Sequence, residues 1–205
     1  MQARPPAVIL AGGLGSRMGG GDKALRNLAG RPILAHVIAA LAPQCGALWL
    51  NANGDPARFA SFGLPVLADT VPGHLGPLAG VLAGLAQAAA TGAHAIVTAP
   101  ADTPFLPADF VARLWAAAGE GGVAIAASPD ATGTLRRHPT CALWPTRLQA
   151  PLRRALAEGQ RRVSTFAEAH GAAIVAFPAP PDPFFNINTP ADLATAEARA
   201  TAGAG

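Results

Sequence analysis

The feature that most constrains the fold is a short apolar segment that runs directly into a glycine-rich loop near the start of the chain. Residues 7–10 predict a buried strand, and residues 11–23 contain repeated glycines together with Arg17 and Lys23. Glycine lets the backbone approach a ligand closely, and its exposed N–H groups can cradle phosphate oxygens. Arg17 can bind two phosphate oxygens at once and Lys23 acts as a point charge, so the loop is suited to a triphosphate.

Apolar segments of strand length alternate with helix-like segments over most of the chain. Strands are predicted at residues 7–10, 47–51, 65–68, 95–99 and 123–127. Helices that begin at proline are predicted at residues 32–42, 77–90 and 107–118. This alternation predicts an α/β fold: a single Rossmann-like three-layer domain with a mostly parallel central sheet and helices on both faces. The loops that follow the strands then gather at one edge, where such folds bind ligands.

The last third of the chain is less regular but predicts further elements. Residues 140–144 and 172–177 predict strands, and residues 148–158 predict a helix. Thr189 predicts the N-cap of a final helix whose first position is Pro190. The chain has no internal repeat and no linker long enough to separate two domains, so we expect residues 1–205 to form one domain.

Composition limits the partners and the compartment. The formal net charge is +3 and the sequence pI is about 9.6, an excess too weak to argue for nucleic acid but suited to a small anionic substrate. Cys45 and Cys141 belong to no CxxC pair, so neither a disulfide framework nor a zinc site is indicated. No apolar run reaches the ~18 residues of a membrane span. We therefore expect a cytoplasmic protein that binds neither nucleic acid nor a membrane.

Two common phosphate-binding motifs do not fit the glycine loop. A P-loop requires Lys followed by Ser or Thr, whereas Lys23 lies between Asp22 and Ala24. A dinucleotide fingerprint requires a third glycine, where Met18 stands, and an acidic residue about 20 residues later. No Asp or Glu occurs between residues 24 and 54, so a nicotinamide-dependent oxidoreductase is disfavoured.

Polar residues and glycine follow the other predicted strands. The amide of Asn51 could bind a base or a ribose, or it could belong to a plain turn. The carboxylate of Asp69 could accept from both N1–H and the exocyclic amine of guanine, or it could cap a turn. Gly76 opens the helix at residue 77 and leaves room for a purine. Asp102 follows the strand at 95–99 and could hold Mg²⁺ with phosphate oxygens and waters, or cap the next helix.

The glycine loop resembles the signature loop of the molybdenum cofactor guanylyltransferases, within the glycosyltransferase-A-like nucleotidyltransferase superfamily. The resemblance rests on the run Leu10-Ala11-Gly12-Gly13-x-x-x-Arg17-Met18-Gly19-x-x-Asp22-Lys23 and on the later runs Asn51-Ala52-Asn53, Gly76-Pro77-Leu78-Ala79-Gly80 and Pro100-Ala101-Asp102-Thr103-Pro104. It implies nucleotide binding by Leu10, Ala11, Gly12, Gly13, Lys23, Asn51, Asp69, Gly76 and Asp102. It implies catalysis by Arg17, Lys23 and Asp102, with Asp102 as the ligand of Mg²⁺, for which Mn²⁺ could substitute.

The resemblance also divides the chain by function. Residues up to about 120 would form a nucleotide-binding half, and residues from about 121 to 200 an acceptor-binding half. The runs that resemble the family in the second half are Arg136-Arg137-His138-Pro139-Thr140, Arg161-Arg162-Val163 and Asn186-Ile187-Asn188-Thr189-Pro190. Binding of the acceptor is therefore implied for Arg137, His138, Arg161, Asn186 and Asn188.

The activity implied by the resemblance is transfer of GMP from GTP to the terminal phosphate of molybdopterin, with release of pyrophosphate. GTP and molybdopterin would be the small-molecule partners of a monomer that makes transient contacts with other molybdenum cofactor enzymes. One alternative is a cytidylyltransferase acting on molybdopterin or on a sugar or polyol phosphate, and another is a non-catalytic GTP-binding module. Asp69 and the Ala-Gly-Gly form of the loop favour guanine, and the presence of both Lys23 and Asp102 favours catalysis.

Overall fold

The computed structural model describes residues 4–12, 22–73 and 75–202, which form an α/β fold around a seven-stranded sheet. The strands in these ranges are β1 (Ala7–Leu10), β2 (Asn27–Leu28), β3 (Arg31–Pro32), β4 (Leu48–Asn51), β5 (Val66–Leu67), β6 (Ala95–Pro100), β7 (Ala124–Pro129), β8 (Leu135–Pro145) and β9 (Ala173–Ala176). The central sheet has the order β5-β4-β1-β6-β8-β7-β9, and β2 pairs with β3 in a separate hairpin. Within the central sheet, β8 runs antiparallel to both of its neighbours, and the other adjacent pairs are parallel.

Six α-helices connect or flank the strands in the described residues. They are α1 (Ile33–Leu41), α2 (Pro77–Ala90), α3 (Phe110–Ala118), α4 (Gln149–Ala157), α5 (Val163–Ala169) and α6 (Pro190–Ala202). The predicted fold class, with its mostly parallel central sheet, is therefore confirmed. No described helix is both long enough and apolar enough to cross a bilayer.

Two apolar clusters cover the two faces of the sheet. Successive strand residues point to opposite faces, so Ile9 of β1 packs in the cluster that includes α1 and α3, whereas Val8 packs in the cluster that includes α2, α4 and α5. Helices therefore lie on both faces, as the alternation of elements predicted. Cys45 and Cys141 are free thiols buried in the first of these clusters.

Helix α2 approaches the sheet closely because it carries two glycines on the face that contacts it. A Cβ added at Gly84 would lie 2.4 Å from Cγ2 of Val8, and one added at Gly80 would lie 2.1 Å from Oδ1 of Asn51. Real Cβ atoms do not approach other atoms this closely. The glycines thus set the distance between the helix and strands β1 and β4, and they leave room for the Asn51 side chain.

The final helix begins where its sequence predicted. The Thr189 hydroxyl accepts from the backbone N–H of Asp192 at 3.1 Å, and Oδ2 of Asp192 accepts from the backbone N–H of Thr189 at 2.8 Å. This reciprocal pair is a capping box. The hydrogen bonds from the backbone N–H groups of Asn188 and Thr189 lower the pKa of the Asp192 carboxyl.

Three features differ from the sequence-based expectation. Helix α3 begins at Phe110, because residues 107–109 form a turn in which the Phe110 N–H donates to the Pro107 carbonyl at 3.1 Å. Strand β8 begins at Leu135, well before residue 140, because its polar first residues pair with β7. The hairpin of β2 and β3 was not predicted, because its strands have two residues each and carry no periodic pattern.

Candidate functional site

A pocket of about 330 Å³ opens at the carboxyl-terminal edge of the parallel strands. Strands β1, β4 and β6 end at Leu10, Asn51 and Pro100, and these residues all line the pocket. Its described lining consists of Leu10, Gly12, Asn51, Asn53, Asp69, Gly76, Pro77, Pro100, Asp102 and Thr140. The structure therefore brings together six of the predicted nucleotide-binding residues. Five of them end or follow strands, and the sixth, Gly76, precedes α2.

Asn51, Asn53 and Asp69 form one hydrogen-bonded group on the β4–β5 side of the pocket. Nδ2 of Asn51 donates to Oδ1 of Asp69 at 3.0 Å, and Nδ2 of Asn53 donates to Oδ2 at 2.7 Å. The backbone N–H of Asp69 donates back to Oδ1 of Asn53 at 2.9 Å. Asn51 is buried, with 4% of its surface exposed, and it also donates to the Leu67 carbonyl at 3.0 Å. The Asp69 carboxylate is thus held in a fixed plane.

Lys23 and Asp102 form an ion pair on the β6 side of the pocket. The Lys23 ammonium contacts Oδ2 of Asp102, and it also donates to Oδ1 of Asn188 at 2.7 Å. The two ionic side chains are 18% and 16% exposed, so both are largely shielded but still reach solvent. In the described part of the chain, the pocket therefore has the Lys23–Asp102 ion pair on one side and the group around Asp69 on the other.

The segment that carries Asn186 and Asn188 is attached to the Asp102 loop. The Ile187 N–H donates to the Asp102 carbonyl at 3.1 Å, and the hydroxyl of the buried Thr103 donates to Oδ1 of Asn186 at 2.6 Å. The side-chain oxygens of both asparagines are therefore occupied by partners within the protein. Neither asparagine caps α6, since Thr189 has that role.

Arginine 58 joins the residues beside Lys23 to the base of the Asn53 loop. Its Nε lies 2.5 Å from Oδ2 of Asp22, and its Nη2 donates to the Asn53 carbonyl at 2.7 Å. This arginine was not identified from the sequence. It lies in a 3-10 helix, Pro56–Phe62, whose spacing gives no sign that the side chain turns back towards two loops.

None of the five predicted acceptor-binding residues is among the described residues that line this pocket, and their roles remain predictions. Arg137 is exposed and pairs with Glu168, and Nη1 of Arg161 donates to the Leu156 and Gln160 carbonyls at 2.8 Å. Backbone carbonyls thus engage one nitrogen of the exposed Arg161 guanidinium, just after α4. His138, in β8, is only 10% exposed.

His138 belongs to a separate chain of hydrogen bonds that joins β8 to Ser128 of β7 and to Asp182. The Ser128 hydroxyl donates to Oδ1 of Asp182 at 2.9 Å, so Nε2 of His138, 2.8 Å from the same hydroxyl, is the donor in their contact. The imidazole also packs against Phe184, with ring centroids 4.7 Å apart. Burial lowers the pKa of His138, the nearby Asp182 opposes that shift, and Arg136 adds to it.

The Asp102 carboxylate fits a divalent cation that is held mainly by the phosphates of a ligand. Among the described residues, its Oδ1 receives one contact, from the Thr103 hydroxyl at 3.5 Å, which is too long for a strong hydrogen bond. No group of three or more His, Cys, Asp or Glu residues in the described ranges could hold a metal. Mg²⁺ is commonly bound by one or two carboxylates together with phosphate oxygens and waters. A single carboxylate therefore suits Mg²⁺ and does not suit a closed metal site.

Three of the predicted nucleotide-binding residues and the predicted catalytic Arg17 belong to the glycine loop after β1. Gly13 and Arg17 lie outside the described residues, so their predicted roles remain predictions. The backbone N–H of Ala11 donates to the Asn51 carbonyl at 2.9 Å and is not available to a phosphate. Gly12 faces open space among the described residues, because a Cβ built there would have one described neighbour within 4 Å, Oδ1 of Asn51 at 4.0 Å.

One signal in the sequence would have singled out Lys23 without any motif. The chain has 15 basic residues of the Lys and Arg types, and Lys23 is the one lysine among them. A chain that uses arginine at every other such position retains lysine where the ammonium lies between Asp102 and Asn188. Asn53 had a weaker signal, its place in the run Asn51-Ala52-Asn53.

Sequence comparisons identify relatives over nearly the whole chain. The model of the MobA-like NTP transferase domain matches residues 7–173. The molybdenum cofactor guanylyltransferase of Rhodopseudomonas palustris (strain BisB5) is 59% identical over 94% of this chain and 92% of its own length. The protein of the same name from Bradyrhizobium sp. (strain ORS 278) is 54% identical over 94% and 91% of the two chains.

Solved structures share the fold at lower identity. Molybdopterin-guanine dinucleotide biosynthesis protein A from Archaeoglobus fulgidus superposes with a TM-score of 0.71 and 23% identity, over 96% of this chain and 99% of that chain. The 4-diphosphocytidyl-2C-methyl-D-erythritol synthase from Anaerococcus prevotii superposes with a TM-score of 0.72 and 15% identity, over 97% and 96%. At these identities the likeness concerns the fold alone, and the fold does not distinguish one base from another.

Proposed function

Since this chain belongs to the MobA-like NTP transferase family, we propose that it transfers GMP from GTP to the terminal phosphate of molybdopterin. The products are molybdopterin guanine dinucleotide and pyrophosphate. The observation that carries the proposal is the pairing of Lys23 with Asp102 at the strand edge that also holds Asn51 and Asp69. Lys23 and Asp102 have the charges that would bind a triphosphate and its metal ion. Asn51 and Asp69 have the hydrogen-bonding atoms that would bind a base.

The reaction is a displacement at the α-phosphorus of GTP. An oxygen of the acceptor's terminal phosphate forms a bond to that phosphorus, and the bond to the oxygen that bridges the α- and β-phosphates breaks. Because the attacking phosphate is already anionic, no protein nucleophile or general base is required. Catalysis then consists of positioning and charge neutralisation.

Lys23 is the described cation closest to this chemistry. When the nucleotide binds, its phosphate oxygens compete with Asp102 and Asn188 for the Lys23 ammonium. The ammonium then stabilises the negative charge that develops on the departing pyrophosphate. We assign the same role to Arg17.

Nucleotidyltransferases generally take a divalent metal, and we propose Mg²⁺, with Mn²⁺ as a possible substitute. Asp102 would hold it, because its Oδ1 has one weak contact among the described residues. When bound, the ion polarises the α-phosphate and so assists the displacement. The base would lie on the other side of the pocket, between Asp69 and the glycine that precedes α2, Gly76.

We also propose that the enzyme acts in the cytoplasm as a monomer that makes transient contacts with other molybdenum cofactor enzymes. Within a single domain, we assign residues from 1 to about 120 to binding of the nucleotide and residues from about 121 to 200 to binding of the acceptor. For Asn186 and Asn188 the support is their attachment to the Asp102 loop, which puts them beside the phosphate end of the pocket. For His138 the support is its position in β8, two residues before the pocket residue Thr140.

The proposal is tested by offering the protein each of GTP, CTP, ATP and UTP with Mg²⁺ and molybdopterin. Pyrophosphate release and the mass of the pterin product are measured together. We expect a guanylyl-pterin with GTP and no product with the other three nucleotides. A cytidylyl product would retain the chemistry and overturn the base assignment, and pyrophosphate release only with a sugar or polyol phosphate would overturn the acceptor.

A further inference from the structure

Asp69 has two oxygens, and the protein already uses one acceptor position on each of them. A carboxylate has about four lone-pair positions in its plane. Asn51 donates to Oδ1 and Asn53 donates to Oδ2. Among the described residues no other donor reaches the carboxylate, so one acceptor position on each oxygen remains for a ligand in the pocket that Asp69 lines.

Asn53 is held more firmly than an ordinary loop residue. Its amide nitrogen donates to Asp69, and its amide oxygen accepts from the backbone N–H of Asp69, so the two residues are linked in both directions. Its carbonyl accepts from Nη2 of Arg58, which also contacts Asp22. Rotation of the Asp69 carboxylate would break the 2.7 Å hydrogen bond to Asn53 and leave an amide donor without its partner.

A carboxylate with one open position on each oxygen matches a ligand that has two adjacent donors. Guanine has such a pair, N1–H and the exocyclic N2 amine. Cytosine and adenine have an acceptor nitrogen next to the amine, and uracil has a carbonyl next to its N–H. Each of these three bases would place an acceptor against a carboxylate oxygen, which is repulsive.

We propose that Asn53 is a specificity-determining positioning residue, which fixes the plane of the Asp69 carboxylate so that its open acceptor positions bind N1–H and the exocyclic amine of guanine. This inference rests on the proposed function, because it assumes that the nucleotide is GTP. Asn53 would act on the base through Asp69, and it would contact none of the reacting atoms.

The test compares Asn53→Ala with the unmodified protein in titrations of GTP, inosine triphosphate and CTP, each with Mg²⁺. Inosine triphosphate differs from GTP by the missing exocyclic amine. We expect the unmodified protein to bind GTP at least about tenfold more tightly than inosine triphosphate, as befits a hydrogen bond to a charged group. In Asn53→Ala we expect this ratio to fall towards one, mainly through weaker GTP binding.

The matched control is Asn27→Ala, at an exposed asparagine of the β2–β3 hairpin. We expect this control to keep the full ratio. If Asn53→Ala does not fold, Asn53→Gln, which moves the amide on a longer side chain, is measured with the same expectation. If the unmodified protein prefers GTP and a folded Asn53 variant keeps the same ratio of GTP to inosine triphosphate affinity, the inference is overturned and the proposed function is not. An unmodified protein that binds CTP as tightly as GTP overturns the proposed base specificity and the inference with it.

Discussion

At the scale of single residues, the choice of lysine at position 23 is informative. A guanidinium is a planar fork with five N–H groups, whereas an ammonium is a compact charge that can turn its three donors to different partners. Lys23 uses this freedom to contact Asp102 and Asn188 at once. The phosphate oxygens of a bound triphosphate can then accept hydrogen bonds from the same ammonium without a change in the shape of the site.

We expect Lys23→Arg to fold normally and to lose most of its turnover, despite the retained charge. The longer planar group cannot occupy the space between Asp102 and Asn188 without moving one of them. A loss on the order of 100-fold in kcat/KM is expected, comparable with removal of one electrostatic donor in other enzymes. The measurement is pyrophosphate release at saturating acceptor, with far-UV circular dichroism to verify the fold.

The matched control for that substitution is the exposed Arg31→Lys, which makes the reverse exchange outside the pocket. We expect it to retain normal turnover. Lys23→Ala and Asp102→Ala should each be at least as impaired as Lys23→Arg while remaining folded. Near-normal turnover in a folded Lys23 or Asp102 variant would remove that residue from the mechanism.

The sequence predicted single residues well where they end or follow a strand. Leu10, Asn51, Asp69 and Asp102 were expected at one edge of the sheet, and the structure brings them to one pocket. Arg58 was not predicted, because its two contacts depend on how a 3-10 helix packs against two loops. Arg137 and Arg161 were predicted from resemblance to bind the acceptor. In the structure both make local contacts that the sequence pattern does not encode.

At the scale of elements, the contact between α2 and the sheet connects packing with the site. Gly80 faces Asn51 and Gly84 faces Val8 and Ile96, so the same helix face touches a pocket-lining side chain at one turn and the apolar core at the next. The close packing of α2 against the sheet thus depends on both glycines, but of the two only Gly80 lies next to Asn51.

We expect Gly80→Ala to weaken GTP binding by about tenfold or more, because the new methyl group would displace Asn51 and break its bond to Asp69. Both Gly80→Ala and Gly84→Ala should lower the free energy of unfolding, by about 1–3 kcal/mol for an overpacked contact. The two variants are compared by isothermal titration with GTP and by urea unfolding.

Gly84→Ala serves as the control for packing, because its methyl group would meet Val8 and Ile96, away from Asn51. Its affinity for GTP should stay within about twofold of the unmodified protein, since neither clash reaches a hydrogen bond of the site. Equal losses of affinity in the two variants would show that α2 affects the pocket through stability alone.

Element type was predictable where apolar periodicity was strong. Helix α2 has the bounds that its pattern predicted, residues 77–90, because proline marks its start and an apolar stripe runs along it. The early part of β8 was missed, because Arg136 and Arg137 are exposed and carry no apolar signal, so pairing with β7 decides their conformation. Pairing between distant segments is a tertiary effect that local propensity does not contain.

At the scale of the whole molecule, the site is assembled from distant parts of the chain. The Lys23–Asn188 hydrogen bond joins residues 165 positions apart, and the Thr103–Asn186 bond joins residues 83 apart. Helix α6 supports the same region, because Glu197 accepts from the backbone N–H of Ala29, in the hairpin that follows Lys23. The alternation of elements predicted the common edge, whereas these specific connections could not be predicted from sequence spacing.

We expect the stability of the molecule to fall at mildly acidic pH through His138. The pKa of its imidazole is lower in the folded protein than the ordinary value of about 6.5. Its stabilising contribution is therefore complete above that value, and it is lost as the pH falls through 6.5 towards the folded-state pKa. Protonation would place a hydrogen on Nδ1, for which no described residue supplies an acceptor.

The measurement is the Tm between pH 8 and pH 5 for the unmodified protein and for His138→Gln, with the exposed His94→Gln as the control. As the pH falls below 6.5, the Tm of the unmodified protein should decrease more than the Tm of His138→Gln. His94→Gln should follow the unmodified protein. Parallel curves for all three proteins would exclude His138 as the cause of the acid sensitivity.

The solitary lysine also has a practical consequence for anyone who handles this protein. Apart from the α-amino group, its one aliphatic amine lies at the edge of the nucleotide pocket, 18% exposed and in contact with Asp102. Amine-directed dyes, biotin esters and coupling to activated resins therefore have a single side-chain target, and it is the residue to which we assign stabilisation of the departing pyrophosphate. Labelling at Lys23, separated from labelling of the α-amino group by peptide mapping, then reports the fraction of blocked pockets, and a bound nucleotide should reduce it. Tags for imaging or immobilisation should therefore be attached through a reaction that does not modify amines.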